Sequence, residues 1–157
     1  MAPQDKAAQY DETAKEIAAV LEGEPNITAR MATVACLLSQ AFVTYYWTGF
    51  YVVDPEKENE LVVGPYQGTL GCMRIEFGKG VCGAAAAARE TQIVEDVHAI
   101  ENHIACDVNT NSEIVVPVFN KAGALIAVFD VDSTKRGSFD TTDKEGLERI
   151  LKATFGR

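Results

Sequence analysis

Three cysteines, Cys72, Cys82 and Cys106, lead along the chain to one carboxylate, Glu113, at the mouth of an apolar strand. Two thiols that meet can exchange electrons by making and breaking a disulfide, and a nearby carboxyl can supply the proton such chemistry consumes. These residue types point to a small redox enzyme. None of the cysteines forms a C-x-x-C pair. Zinc held by them with His98 or His103 fits poorly, because structural zinc sites pair ligands a few residues apart and only His103 and Cys106 are so spaced.

The thiolate is the reactive form of cysteine, and the amide dipoles at a helix N-terminus lower a thiol pKa. Cys82 stands where an alanine-rich helix should begin, which nominates it as an activated thiol. Cys106 lies in a polar loop between His103 and Asp107 and is the more accessible. Spacing alone does not choose between them. Asp130 and Asp132 alternate with Phe129 and Val131 in the run ALIAVFDVDS, so both carboxylates project from one face of a strand. On a solvated face they would be unremarkable. Glu113 opens the neighbouring hairpin strand, however, and three carboxylates on adjacent strands repel unless a cation or a shared proton holds them. Such a cluster binds an ammonium or a metal, or keeps one acid protonated near neutral pH.

The elements that must position these groups follow from periodicity. Tyr10, Ala14, Ile17, Ala18 and Leu21 recur at helical spacing from Gln4 to Leu21, ended by Gly23 and Pro25. A second helix runs from Ile27 to Thr44 and buries Met31, Val34, Ala35, Leu37, Leu38, Ala41 and Phe42, with Cys36 as a small hydrophobe packed in the core. Tyr45 to Val53 reads as a strand with Trp47, Gly49, Tyr51 and Val53 on one face. Aromatics flanking a glycine there leave room above the sheet for something flat or small. Glu60 to Gly64 is its hairpin partner, and the loop PYQGTLG (65–71) leads to Cys72 and a short strand, Met73 to Phe77. The glycine-rich turn before a helix over Val81 to Arg89 lacks the Gly-Lys-Ser/Thr ending of a phosphate loop.

Thr91 to Glu95 forms another short strand, and Asp96 to Asn111 a polar loop of functional length. Ser112 to Phe119 and Ala124 to Ser133 form a hairpin, and Asp143 to Phe155 a closing helix, with Thr141 and Thr142 as N-caps and Leu147, Ile150, Leu151 and Phe155 inward. The fold class is α+β: an antiparallel sheet of about five or six strands with helices mainly on one face. One domain spans 1–157, with helices over 1–44, the sheet and its loops over 45–133 and a last helix over 141–155.

The 157 residues, 47% hydrophobic, suffice for a single core that buries about two-thirds of the unfolded surface. A net charge of −9, with no stripe of Lys and Arg, excludes nucleic acid as a partner. No segment approaches the roughly 20 apolar residues that span a bilayer. The acidic first 25 residues read as neither secretory signal nor transit peptide. Four cysteines without an export signal fit the reducing cytoplasm. Length and charge leave the oligomeric state open, a homodimer included.

The segments WTGFYVVD (47–54), VGPYQG (63–68), GKGVCG (78–83), EDVHAIENHIACD (95–107), NSEIVVPV (111–118) and FDVDS (129–133) resemble the free methionine-(R)-sulfoxide reductases, which are built on a GAF domain. The likeness covers roughly residues 45–150 in order, and HIACD, NSEIV and DVDS together are highly specific. It implies a GAF fold with a loop-enclosed pocket opposite the helices, and reduction of the R epimer of free methionine sulfoxide. By position it makes Cys106 the nucleophile, Cys72 the resolving cysteine bridged to it, and Cys82 a third cysteine of variable role. Trp47 and Tyr51 become pocket aromatics, with Glu113, Asp130 and Asp132 as the acidic pocket and Glu113 the candidate proton donor. No bound cofactor or metal is implied. Thioredoxin, with NADPH and thioredoxin reductase, would be the external reductant. The alternative is a non-catalytic GAF module that binds a nucleotide or other small effector and needs no reactive thiols.

Overall fold

In the computed structural model, which describes residues 1–104 and 106–157, two helices open the chain, α1 (Pro3–Val20) and α2 (Ile27–Ala41). Ala105, inside the HIACD segment and the Asp96–Asn111 loop, lies outside the described residues. Then follow β1 (Trp47–Val53), β2 (Glu60–Gln67), β3 (Arg74–Glu76), α3 (Gly80–Ala88), β4 (Gln92–Val94), a 3-10 turn (Val97–Ala99), β5 (Ser112–Phe119), β6 (Leu125–Ser133) and α4 (Thr141–Phe155). The strands form one antiparallel sheet in the order β3-β2-β1-β6-β5-β4.

Side chains alternate across a strand, so each face of the sheet collects its own core. Phe50, Ile114, Val116, Phe129 and Val131 pack against α1, α2 and α4. Trp47, Tyr51, Val115 and Val128 pack on the other face against Val81, Cys82 and Ala85 of α3. Because β5 is covered on both sides, its sequence reads as an unbroken apolar run. Three helices thus anchor one face and a single short helix leaves the other open for a pocket.

Several boundaries depart from the sequence expectation. Helix α2 stops at Ala41, not Thr44, because Phe42 turns extended to stack on Tyr10 and Tyr45 at 4.4 and 4.9 Å. Cys36 is half-buried on α2, facing Gln40, so it is not a core residue. Strand β2 continues beyond Gly64 to Gln67. An extra residue there makes a bulge opposite Gly49–Tyr51, which admits Pro65 inside a strand. The space expected above Gly49 is filled by this bulge: a Cβ on Gly49 would stand 2.7 Å from Tyr66 Cα.

The cap of α4 is Asp140, not Thr141 or Thr142. Its carboxylate accepts from the Thr142 and Asp143 amides, while Asp143 accepts from the Asp140 amide at 2.8 Å. Asp143 is buried and also accepts from Tyr10 at 2.6 Å and Lys6 at 2.7 Å, and Tyr10 shares a 2.6 Å bond with Tyr45. One carboxylate therefore ties α1 to α4 and both to the approach to β1. Removing it takes the nearest counter-charge from the half-buried Lys6 ammonium and one of two partners from the buried Tyr10 phenol. Asp143→Ala should destabilise the fold by about 3 kcal/mol, read as a lower urea midpoint with unchanged slope.

Candidate active site

The sheet register assembles the acids. Across β1, β6 and β5, Trp47 pairs with Asp132 and Asp132 with Glu113; two residues along, Gly49 pairs with Asp130 and Asp130 with Val115. These side chains rise from the same face, beneath α3. Glu113 and Asp130 are buried, and Oδ1 of both Asp130 and Asp132 has no hydrogen-bond partner among the described residues. Cys82 Sγ and one oxygen each of Glu113 and Asp130 lie within 4.8 Å of one another.

Burial raises the pKa of all three acids well above the carboxylate range, and mutual repulsion adds to it. A proton on Glu113 would give an unpartnered aspartate oxygen its missing donor. Burial likewise pushes the Cys82 thiol well up, reinforced by the charges of Asp130, Glu113 and Asp132. The expected activation of Cys82 by the helix N-terminus is thus overturned: desolvation beside acids outweighs the helix dipole. Burial, then Asp130, also raises the Tyr51 phenol, which stays protonated and can donate.

Above this floor, Cys72 and Cys106 are joined by a disulfide that spans 34 residues of sequence with Cα atoms 5.3 Å apart. Two networks hold the joined segments. Asp107 accepts from Thr69 Oγ1 at 2.6 Å, Tyr46 OH at 2.9 Å and the Asn109 amide at 2.9 Å, and the Thr69 hydroxyl chiefly keeps its carboxyl below the usual range. Thr69 O in turn accepts from the Trp47 indole at 2.8 Å. On the other side, Asn102 reaches from the 96–111 loop to cap α3, accepting from the Gly80 amide at 3.3 Å and donating to Gly78 O at 3.0 Å. Arg74 binds Asp54 and Glu60, each at 2.6 Å, and so fixes the edge strand that follows Cys72.

The sequence-nominated residues Trp47, Tyr51, Cys82, Cys106, Glu113, Asp130 and Asp132 all line one pocket, with the bridged Cys72 at its rim. Trp47 is stacked between Tyr51 and Tyr66, with ring centroids 5.6 and 4.9 Å away. The cavity volume is about 30 Å³, room for water but not for an amino acid.

His98 is turned away to Asn111, whereas His103 faces the pocket, its pKa lowered by burial and by His98. Sequence reasoning missed Thr110, a buried hydroxyl on the pocket wall without a described partner, and the clamp formed by Tyr46, Thr69 and Asp107. Thr110 sits at the loop's junction with β5, where short polar residues are ordinary turn formers, so its type carried no signal.

Fold and site together describe a pocket-bearing α+β domain with a disulfide-bonded cysteine pair at the pocket. A profile of the GAF domain matches residues 16–153. The free methionine-R-sulfoxide reductase of Saccharomyces cerevisiae is 44% identical over 135 residues, covering 83% of this chain and 75% of that one. The enzyme of the same name from Escherichia coli is 39% identical over 147 residues, covering 94% and 87%. The structure of a free methionine-R-sulfoxide reductase from Neisseria meningitidis in complex with its substrate superposes with a TM-score of 0.89 at 45% identity, covering 94% and 86%. The chain belongs to the GAF-domain family and, within it, to the free methionine-R-sulfoxide reductases.

The buried acids carry a pH signature. Their folded pKa lies above the unfolded value, so the native state holds protons that the unfolded chain releases. The stability they contribute is full below the ordinary carboxylate pKa of about 4 and is lost as pH rises through the raised values. Asp130→Asn cannot ionise. Its melting temperature should therefore fall less than wild type between about pH 5 and pH 9 in parallel thermal scans.

Proposed function

We propose that the chain reduces the R epimer of free methionine sulfoxide to methionine, with Cys106 as nucleophile, Glu113 as acid and Cys72 as resolving thiol. The observation that carries this reading is the Cys72–Cys106 disulfide over a buried carboxylate cluster. In the reduced protein, the Cys106 thiolate attacks the sulfoxide sulfur. The oxide is a poor leaving group until protonated, and Glu113, kept neutral by burial and by its acidic neighbours, donates the proton. The protonated oxygen then passes to Cys106: a Cys106 Sγ–O bond forms as the substrate S–O bond and the new sulfur–sulfur bond break, which releases methionine and leaves Cys106 as a sulfenic acid. Cys72 then condenses with it, forming the disulfide and releasing water, so two electrons pass from the thiol pair to the substrate.

Asp130 and Asp132 supply acceptors for the substrate ammonium, a group that a residue within a peptide lacks. Thr110 offers a donor to its carboxylate, and the edge of Trp47 receives the S-methyl group. Cys82, high in pKa and within 4.8 Å of Asp130 and Glu113, serves the cluster as a neutral neighbour and not as a nucleophile. Thioredoxin, kept reduced by NADPH and thioredoxin reductase, returns the disulfide to two thiols. The reaction needs no bound cofactor, and a reducing cytoplasm suits it.

Separate R and S epimers of free methionine sulfoxide, and a peptide containing the sulfoxide, test the substrate. With dithiothreitol as reductant, only the free R epimer should yield methionine, and turnover of the S epimer or the peptide at equal rate would defeat the reading. Cys106→Ser should yield none. With no thiol added, Cys72→Ser should release one methionine per chain and leave Cys106 reactive to a sulfenic-acid probe, whereas a Cys82–Cys106 disulfide formed instead would reassign the resolving role. Glu113→Gln should lower kcat by about 10²–10⁴-fold. In wild type, kcat should fall as pH rises through the raised Glu113 pKa, because the acid form is the donor, and that limb should vanish in the variant.

A further inference from the structure

Exposed apolar side chains gather around the disulfide. Leu70 and Met73, close to Cys72, are 79% and 63% exposed, and Ile104 and Val108, close to Cys106, are 39% and 82% exposed. Single exposed hydrophobics are ordinary on any protein surface. Here four of them come from two distant segments and surround one reactive bond. The other exposed large apolar residues among those described, Met1, Val20, Ile27, Val43 and Ile93, lie on the helices, the turn after α2 and an edge strand.

The two segments are tied together, and the charged groups beside them are paired. The disulfide and the Thr69–Asp107 bond join them, and Met73 O accepts from the Val63 amide at 2.9 Å. Asp107 is turned to Thr69 and Tyr46, and Arg74, beside Met73, is paired with Asp54 and Glu60. On a chain of net charge −9, the general field repels small anionic thiols, while this window favours a partner whose reactive thiol lies on an apolar face.

We propose that Leu70, Met73, Ile104 and Val108 form the docking surface on which a dithiol protein delivers electrons to the Cys72–Cys106 disulfide. This rests on the reading that the disulfide is a turnover state. Cys106 is exposed and Cys72 half-buried, so the incoming thiolate bonds to Cys106 Sγ, the Cys72–Cys106 bond breaks and Cys72 leaves as a thiolate. The donor's second thiol then attacks its own bridged sulfur. This releases Cys106, oxidises the donor to a disulfide and completes a two-electron transfer.

Met73 and Val108 lie outside the pocket lining, so changing them tests docking without altering substrate contacts. Reduction of the disulfide itself is followed by stopped-flow fluorescence, with reduced thioredoxin or dithiothreitol and no sulfoxide present. The double variant Met73→Glu, Val108→Glu should lose at least about tenfold in rate with thioredoxin, equivalent to about 1.4 kcal/mol of docking energy, and stay within about twofold of wild type with dithiothreitol. Met73→Ser, Val108→Ser should show a smaller loss of the same kind. An unchanged thioredoxin rate overturns the proposal, as does a parallel fall with both reductants or a wild type that dithiothreitol reduces and thioredoxin does not. Thioredoxin lacking its second thiol should be trapped on Cys106, and trapping on Cys72 overturns the assignment of the attacked sulfur. Because no sulfoxide takes part, failure to turn over methionine sulfoxide would be seen separately.

Discussion

Three carboxyl groups on one face of a sheet and a thiol from the helix above it crowd together, and they cannot all be ionised. Two unit charges at the separations seen here repel by about 3 kcal/mol at the effective dielectric of a protein, and burial adds to that. Protons must therefore stay on the cluster. The antiparallel register that sets Glu113 beside Asp132, with Asp130 further along β6, creates the conflict, and burial beneath α3 and the cysteine-bearing loops sharpens it. What would be a fault in a structural core becomes a store of acid at neutral pH.

The rest of the architecture serves that face by leaving it alone. Helices α1, α2 and α4 bind the opposite face, with the Lys6, Tyr10, Tyr45 and Asp143 network fastening their ends. Stability thus resides mostly where no chemistry occurs. On the working face, one nine-residue helix and two loops suffice. They are joined by bonds of different kinds: Asn102 to the start of α3, Asp107 to Thr69 and Tyr46, and the covalent bridge between Cys72 and Cys106. The first two are exchangeable hydrogen bonds, while the last is made or broken only with two electrons.

Apolar periodicity made much of this legible in advance. The hairpin of β5 and β6 falls almost where alternation and the Asn120–Gly123 turn require, and the four helices appear where their stripes run. The acids at Asp130 and Asp132 stood out because a strand otherwise so apolar had no local reason to carry them. Boundaries were missed where a contact distant in sequence decided them. Phe42 leaves α2 to stack on Tyr10, and Pro65 stays in β2 because a bulge absorbs it.

By itself, the sequence determined the alternating faces, the helical stripes and the chemical repertoire of thiols and carboxylates, because these depend on neighbours a few residues apart. Tertiary structure alone decided the state of those groups. Cys82 begins a helix and would be acidic in isolation, yet it is packed against three carboxyls from strands that follow it in the chain, and its pKa moves the other way. Burial and charge act through space, so a thiol's reactivity is settled by whatever the fold brings to it.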